Sequence, residues 1–284
     1  MRLIGYNCKG DSVQKQMTLT LDSSQESVLD YRIRQSHEII EKARRKSGLI
    51  PLILNYSGGK DSSVLLDLVR KVTQNFLCFY TVSGIEFPEA ITFAEESCRR
   101  ANVKLLLSHP SDYKGGFFER LERFRYWPTM RKTWCSRDLK FRPQKRVLKK
   151  QLGTDKFFKL NGVRRFESTR RTKMHVQTPH KEFMLPDFNV SKDVMVFPIL
   201  NWRDEDVLEY LRQESLTILP NPLYEKYGVS GCYWCPFYQK TIYRRILKQN
   251  PCLYDEFIKW EKLLGKPSAS GFTYLRDLKT EVCG

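Results

Sequence analysis

"LILNYSGGKDSSVLLDLV", residues 52–69, is the stretch whose reading decides the fold. An apolar run stops at Ser57, two glycines follow, and Lys60-Asp61 opens an apolar stretch at helical spacing. A buried strand that turns through glycine into a helix is the repeating unit of a parallel sheet. The order recurs at once: "FLCFYTVS" (76–83) predicts a strand, "PEAITFAEESCRRA" (88–101) a helix with Pro88 in its first turn, and "VKLLLSH" (103–109) a third strand. This β-α-β-α-β pattern predicts an α/β fold with a doubly wound, mostly parallel sheet. Upstream, residues 27–46 have helical spacing and end in a cationic turn suited to a helix C-terminus. Downstream, residues 156–163 and 194–200 predict further strands, and 203–214, 240–249 and 253–264 predict helices. The expected organisation is a polar arm (1–26), a nucleotide-binding α/β domain (27–215) and a helical, cysteine-bearing C-terminal extension (216–284).

In open parallel sheets, ligands bind beyond the carboxyl ends of the strands, where Ser57-Gly58-Gly59 falls. Glycines let the backbone turn tightly and leave N–H groups uncovered, and the following helix N-terminus favours an anion. The stretch therefore reads as a phosphate cradle. It is not a Walker loop, because Asp61 follows Lys60 where Ser or Thr is required.

The 284 residues are 41% hydrophobic, enough for a substantial core. No apolar run reaches the roughly 18 residues of a membrane span, and the first residues lack the apolar centre of a signal peptide. A cytoplasmic protein with reduced cysteines is expected. The net charge of +17 is concentrated: residues 114–173 hold 20 Lys and Arg against 5 Asp and Glu. A nucleotide needs only a few cations, whereas a polyanion can use many at once. Phe117, Phe118, Phe124, Tyr126, Trp127 and Trp134 are interleaved there, as stacking on unpaired bases requires, although a hydrophobic core would use the same residues. Nucleic acid is the expected partner.

Ser57-Gly-Gly-Lys-Asp-Ser62 resembles the pyrophosphate loop of the adenine-nucleotide alpha-hydrolase group, which includes ATP pyrophosphatases and phosphoadenylylsulfate (PAPS) reductases. The likeness to the PAPS reductase branch continues through "SGIEFPEA" (83–90), "NGVRRFESTRR" (161–171), "FPILNWRDEDVLEYL" (197–211) and "NPLYEKYGVSGCYWCPF" (221–237). Within that branch the chain is most similar to the ATP pyrophosphatase component of DNA phosphorothioation systems. The resemblance implies ATP with Mg²⁺. Ser57, Gly58, Gly59, Lys60, Asp61 and Ser62 would hold phosphates and metal, with Lys60 and Asp61 catalytic. Ser83 and Gly84 would touch the nucleotide, and Arg164, Arg165 and Arg171 would clamp phosphate oxygens. Val82 stands where many relatives carry an aspartate.

Of the eight cysteines, Cys78 and Cys98 fit packing positions, and Cys8 lies in the polar arm. "GCYWCPF" sets Cys232 and Cys235 in a turn, a spacing that presents two thiolates to one metal or serves as a redox pair. In iron–sulfur members of the family such a pair joins two earlier cysteines. Here Cys135 matches, Ser136 replaces the second, and Cys252 follows as a candidate fourth ligand for a [4Fe–4S] cluster. Zinc, or a metal-free pair, stays open. Near the end of the sequence, Cys283 in "TEVCG" is similar to the Glu-Cys-Gly nucleophile of cluster-free reductases.

The expected function is an ATP pyrophosphatase that adenylates a nucleic-acid oxygen for sulfur incorporation, DNA before RNA, with a cysteine desulfurase as sulfur donor. The alternatives are a PAPS or adenylylsulfate reductase and a non-enzymatic nucleotide or nucleic-acid binder.

Overall fold

The computed structural model describes residues 26–110, 112–174, 183–186, 193–215, 217–269 and 273–284. Most of the expected arm, Cys8 included, lies outside the described residues. Six strands form one sheet in the order β3-β2-β1-β4-β6-β5, where β1 is Leu52–Asn55, β2 Phe76–Thr81, β3 Leu105–Ser108, β4 Phe158–Leu160, β5 Met184–Pro186 and β6 Val194–Val196. All neighbours are parallel except β5, which runs antiparallel to β6 at the edge. The sheet is thus mostly parallel, as the sequence predicts. The edge strand β5 is missed because its short apolar run ends at Pro186, which reads as a strand breaker.

Leu52, Ile53 and Leu54 are fully buried, which explains why β1 reads as an unbroken apolar run: helices cover both faces of the sheet. From β1 the chain winds outward through β2 and β3, then returns to place β4 on the other side of β1. That reversal opens a crevice at the carboxyl ends of β1 and β4, the usual ligand position in such sheets.

Three helices come early in the chain: α1 (Val28–Ser47), α2 (Lys60–Val72) and α3 (Pro88–Arg100). In α1 the Ser27 hydroxyl accepts from the Asp30 amide, satisfying an otherwise unpaired N–H at the helix start. Helix α2 is braced against the helix Asp204–Gln213 by Asp67, which is 2% exposed. Its carboxylate accepts from the Tyr210 hydroxyl at 2.7 Å and pairs with Arg70 at 2.5 Å and Lys71 at 2.9 Å. Burial works against the charge, but Tyr210, Lys71 and Arg70 outweigh it and hold Asp67 below the usual carboxylate range. A carboxyl whose folded pKa is depressed stabilises the fold fully above its unfolded pKa and loses that contribution as pH falls through the folded value. Asp67→Asn should therefore lower the urea midpoint at neutral pH and flatten its decline below about pH 4. A wild-type slope in the variant would show that Asp67 does not carry that titration.

The C-terminal segment shares the main core. Trp234 of the cysteine turn stacks on Phe257 (5.4 Å between centroids), and Phe257 packs against Phe117 and Trp127. Phe117, Trp127 and Trp134 are therefore core residues, not stacking platforms. Phe124 and Tyr126 remain exposed, with the buried Arg120 guanidinium 3.9 Å and 5.0 Å from their ring centroids. The unpredicted helices Gly116–Phe124 and Arg142–Leu152 flank these aromatics; their high charge hides the short apolar faces in the sequence.

Candidate active site

The cradle is built as the glycine turn requires. Gly59 caps α2, and a Cβ added there would lie 3.1 Å from the Tyr224 hydroxyl and 3.3 Å from those of Ser230 and Ser57. Ser57 and Ser62 hydroxyls stand 3.2 Å apart, and Ser62 Oγ donates to the Gly59 carbonyl at 2.8 Å. The Tyr224 hydroxyl accepts from the Lys60 amide at 3.2 Å, and Asn221 Nδ2 donates to the Gly58 carbonyl at 2.6 Å. The loop after β4 closes on the same turn: a Cβ on Gly162 would lie 3.1 Å from the Asp61 carbonyl carbon and the Ser62 nitrogen. These are backbone atoms, so a side chain at 162 would have to push the two segments apart by a few tenths of an ångström.

The result is a cavity of about 280 Å³ lined by Ser57, Gly59, Asp61, Ser62, Glu167 and Arg171, with Asn55, Asn161, Gly162, Val163, Tyr224 and Ser230. Burial raises the Asp61 carboxyl, and the Arg164 guanidinium opposes it. Arg164, 1% exposed, donates from Nε to Asp61 Oδ1 at 2.8 Å and from Nη2 to Asp204 Oδ1 at 2.9 Å. Lys60 Nζ reaches the same Asp204 oxygen at 2.5 Å. Arg164 and Lys60 thus orient carboxylates and do not line the cavity. Arg165 does not line it either; its Nε and Nη2 are enclosed without hydrogen-bond partners. Of the three expected arginines, only Arg171 reaches the cavity, paired with Glu167 at 2.5 Å. Mg²⁺ fits this donor set, because a hard cation takes one or two carboxylates plus phosphate oxygens and water. Asp61 and Glu167 are those carboxylates, and Arg164 occupies only one of the two Asp61 oxygens.

A second cavity of about 220 Å³ adjoins the first and shares Asn55, Ser57 and Asn161 with it. Its wall includes Tyr80, Thr81, Glu86, Lys140, Phe141, Gln144 and Cys232. Asn55 donates to Asn161 at 2.7 Å and accepts from Gln144, so a chain of amides forms the ridge between the cavities. Asn55 and Asn161 were overlooked in the sequence; the signal was a polar residue ending each of two apolar strands. Ser83 is buried and committed to Glu86, donating from its amide at 2.8 Å, while Gly84 N–H donates to the other Glu86 oxygen at 2.9 Å. Ser83, Gly84 and Gly58 line neither cavity. Val82 is a core residue.

Cys78 and Cys98 are buried core residues, and the other described cysteines divide into two groups. Cys135, Cys232 and Cys235 are half-buried and close enough to feel one another's charge; burial raises all three thiols. Cys252 and Cys283 are exposed, and both act on Lys279 of the helix Leu275–Cys283. The structure therefore does not bring Cys252 to the other three as a fourth ligand, and Cys283 lines neither cavity. Among the described residues, no three His, Cys, Asp or Glu side chains are arranged to hold a metal ion by themselves. The cysteine set does not fit a closed cluster site.

The structure is thus an α/β domain whose mostly parallel sheet opens a crevice at the strand-order reversal, where a glycine turn starts a helix beside two carboxylates. Residues 51–238 match the phosphoadenosine phosphosulfate reductase domain, and the chain belongs to that family. It is 29% identical over 273 residues to the uncharacterized protein MJ0973 of Methanocaldococcus jannaschii, covering 90% of this chain and 62% of that protein. It is 26% identical over 236 residues to a phosphoadenosine 5'-phosphosulfate reductase of Alteromonas mediterranea, covering 78% and 85%. With sulfate adenylyltransferase subunit 2 of Azospirillum brasilense the identity is 25% over 210 residues, covering 67% and 66%. The chain thus spans less than two thirds of the first and third of these relatives.

Proposed function

We propose that this protein is an ATP pyrophosphatase that adenylates a nucleic-acid phosphate oxygen, preparing it for replacement by sulfur, as in DNA phosphorothioation. The observation that carries the reading is the 280 Å³ cavity, where the N–H-rich turn, Asp61 and Glu167 face one space. In the step, the nucleic-acid oxygen attacks the α-phosphorus of ATP, a new P–O bond forms, and the α–β bridge breaks to release pyrophosphate. Mg²⁺, when bound, would draw charge from the leaving pyrophosphate. The turn and Arg171 hold the phosphates in line, while Arg164 and Lys60 keep the carboxylates oriented. The name of the A. brasilense relative, an adenylyltransferase subunit, supports adenylyl transfer. A cysteine desulfurase is the proposed sulfur source, and the cytoplasm the proposed compartment.

Nucleic acid as the acceptor is supported by the helix Arg142–Leu152. Phe141, just before it, and Gln144 line the second cavity, while Arg142, Arg146, Lys149 and Lys150 are exposed. One element therefore joins cavity wall to cationic surface. Reduction of PAPS is the second reading, favoured by the A. mediterranea relative. It is weakened by Cys283, which stands outside both cavities.

The test is pyrophosphate release from ATP–Mg²⁺ with duplex DNA, run beside sulfite release from PAPS with thioredoxin. DNA-stimulated pyrophosphate release that weakens steeply between 50 and about 200 mM salt is expected. Sulfite release without pyrophosphate release would overturn the reading.

A further inference from the structure

We propose that Cys232 is a sulfur-accepting nucleophile, opening onto the nucleotide cleft and taking sulfane sulfur from a hydropersulfide donor. The inference deepens the sulfur step proposed above but needs no nucleotide chemistry, so the two can fail separately.

Cys232 lines the 220 Å³ cavity, which adjoins the 280 Å³ cavity and shares Asn55, Ser57 and Asn161 with it. Lys140 Nζ donates to its sulfur at 3.4 Å. Lys140 projects from a π-helical turn, Arg137–Phe141, an irregularity that re-aims side chains and recurs at functional sites. The thiol is held in place by backbone pairing on both sides: Phe87 N–H donates to the Gly231 carbonyl at 2.7 Å, and Tyr233 N–H to the Ile85 carbonyl at 2.9 Å. Glu86 Oε1 and Ser83 Oγ lie 3.8 Å and 3.9 Å from the sulfur. The Glu86 carboxylate opposes a thiolate, but its oxygens are occupied by the Ser83 amide and hydroxyl and the Gly84 amide. Burial raises the thiol, and the Lys140 ammonium is the main group opposing that rise, helped by the Ser83 hydroxyl; both favour the thiolate, the form that attacks sulfur.

A metal would leave this arrangement without purpose. The three neighbouring cysteines do not form a ligand set, and a cation already contacts one of them. A thiol that lines a cavity beside an ammonium, with two further thiols nearby, is instead suited to exchange. In the loading step, Cys232 thiolate attacks the terminal sulfur of R–S–SH. A Cys232–sulfur bond forms, the donor S–S bond breaks, and the donor leaves as the thiolate R–S⁻. The proton of the transferred sulfur passes to that thiolate, so atoms and charge balance and no outside oxidant is required. The transferred sulfur then faces the 220 Å³ cavity, next to the one that the glycine turn lines.

The test uses the full chain carrying Cys8→Ser, Cys252→Ser and Cys283→Ser, reduced, freed of reductant and treated anaerobically with sodium tetrasulfide. The expected product gains one sulfur atom, and fragmentation places it on Cys232. Cys235→Ser should retain the adduct and Cys232→Ser should lack it. Lys140→Met should slow loading about tenfold, while Lys140→Arg should stay near the parent rate. Urea melts identify any variant that fails to fold; if Lys140→Met does, the Lys140→Arg rate and the Cys232 mapping decide. Loading that ignores Cys232, or equal rates with methionine and arginine at 140, would overturn the proposal. So would stoichiometric iron or zinc in the purified protein that is lost on Cys232→Ser.

Discussion

Asp61→Asn should leave the protein folded and reduce pyrophosphate release from ATP–Mg²⁺ by about 10³-fold, the scale of losing one preorganised charge at a reacting phosphate. Asp61 lies in the first turn of α2, directly after the glycine turn, and lines the 280 Å³ cavity. Asparagine keeps the shape and can still accept from Arg164, so the loss would come from charge. Arg164→Met should behave differently. Arg164 is 1% exposed and its guanidinium bonds both Asp61 and Asp204. Removing it strands a partly buried carboxylate, and the expected cost is about 3 kcal/mol of stability in addition to lost turnover. Urea unfolding and the pyrophosphate assay, run on both variants, separate the two roles. If Arg164→Met lost activity at unchanged stability and raised the KM for ATP alone, Arg164 would be a phosphate ligand after all.

Glu261→Ala should strongly destabilise the C-terminal segment, by about 3 kcal/mol or more, the cost of leaving three buried donors unpaired. Glu261 is fully buried in the helix Asp255–Leu264. It accepts from the Ser268 amide at 2.8 Å, the Ser268 hydroxyl at 2.7 Å and the Leu275 amide at 3.0 Å. Through these bonds it fixes the start of the helix Leu275–Cys283. Alanine would leave those donors buried without an acceptor, each carrying its own desolvation cost. Phe257 of the same helix packs on Trp234, so the disturbance should reach the cysteine turn. Urea unfolding followed by tryptophan emission measures it. A loss under 1 kcal/mol would mean that water replaces the carboxylate.

The cradle was readable because its chemistry is local. A phosphate turn needs glycines, hydroxyls and a helix start within a few consecutive residues, so the segment from Ser57 to Ser62 announces itself. The arginines were not readable in the same way. Arg164, Arg165 and Arg171 lie within eight residues, and all three carry the same charge. Arg164 is turned away from the cavity by Asp61 and Asp204, more than a hundred and about forty residues away respectively. Lys140 was hidden among the cations of a basic segment, and only folding sets it against Cys232. The aromatics show the same limit: Phe117 and Phe124 look alike in sequence, yet one is core and the other surface.

By itself, the sequence determined the mostly parallel α/β sheet, the place of the glycine turn that opens α2, and the presence of a strongly cationic middle. These follow from periodicity, from glycine at a strand–helix junction and from composition, all of which act over short stretches. The tertiary structure alone decided which cations serve the site, which cysteines share a neighbourhood, and that β4 lies beside β1 to open the crevice. Those outcomes depend on contacts between residues far apart in the chain, where burial and the identity of the neighbour, not residue type, set what a side chain does.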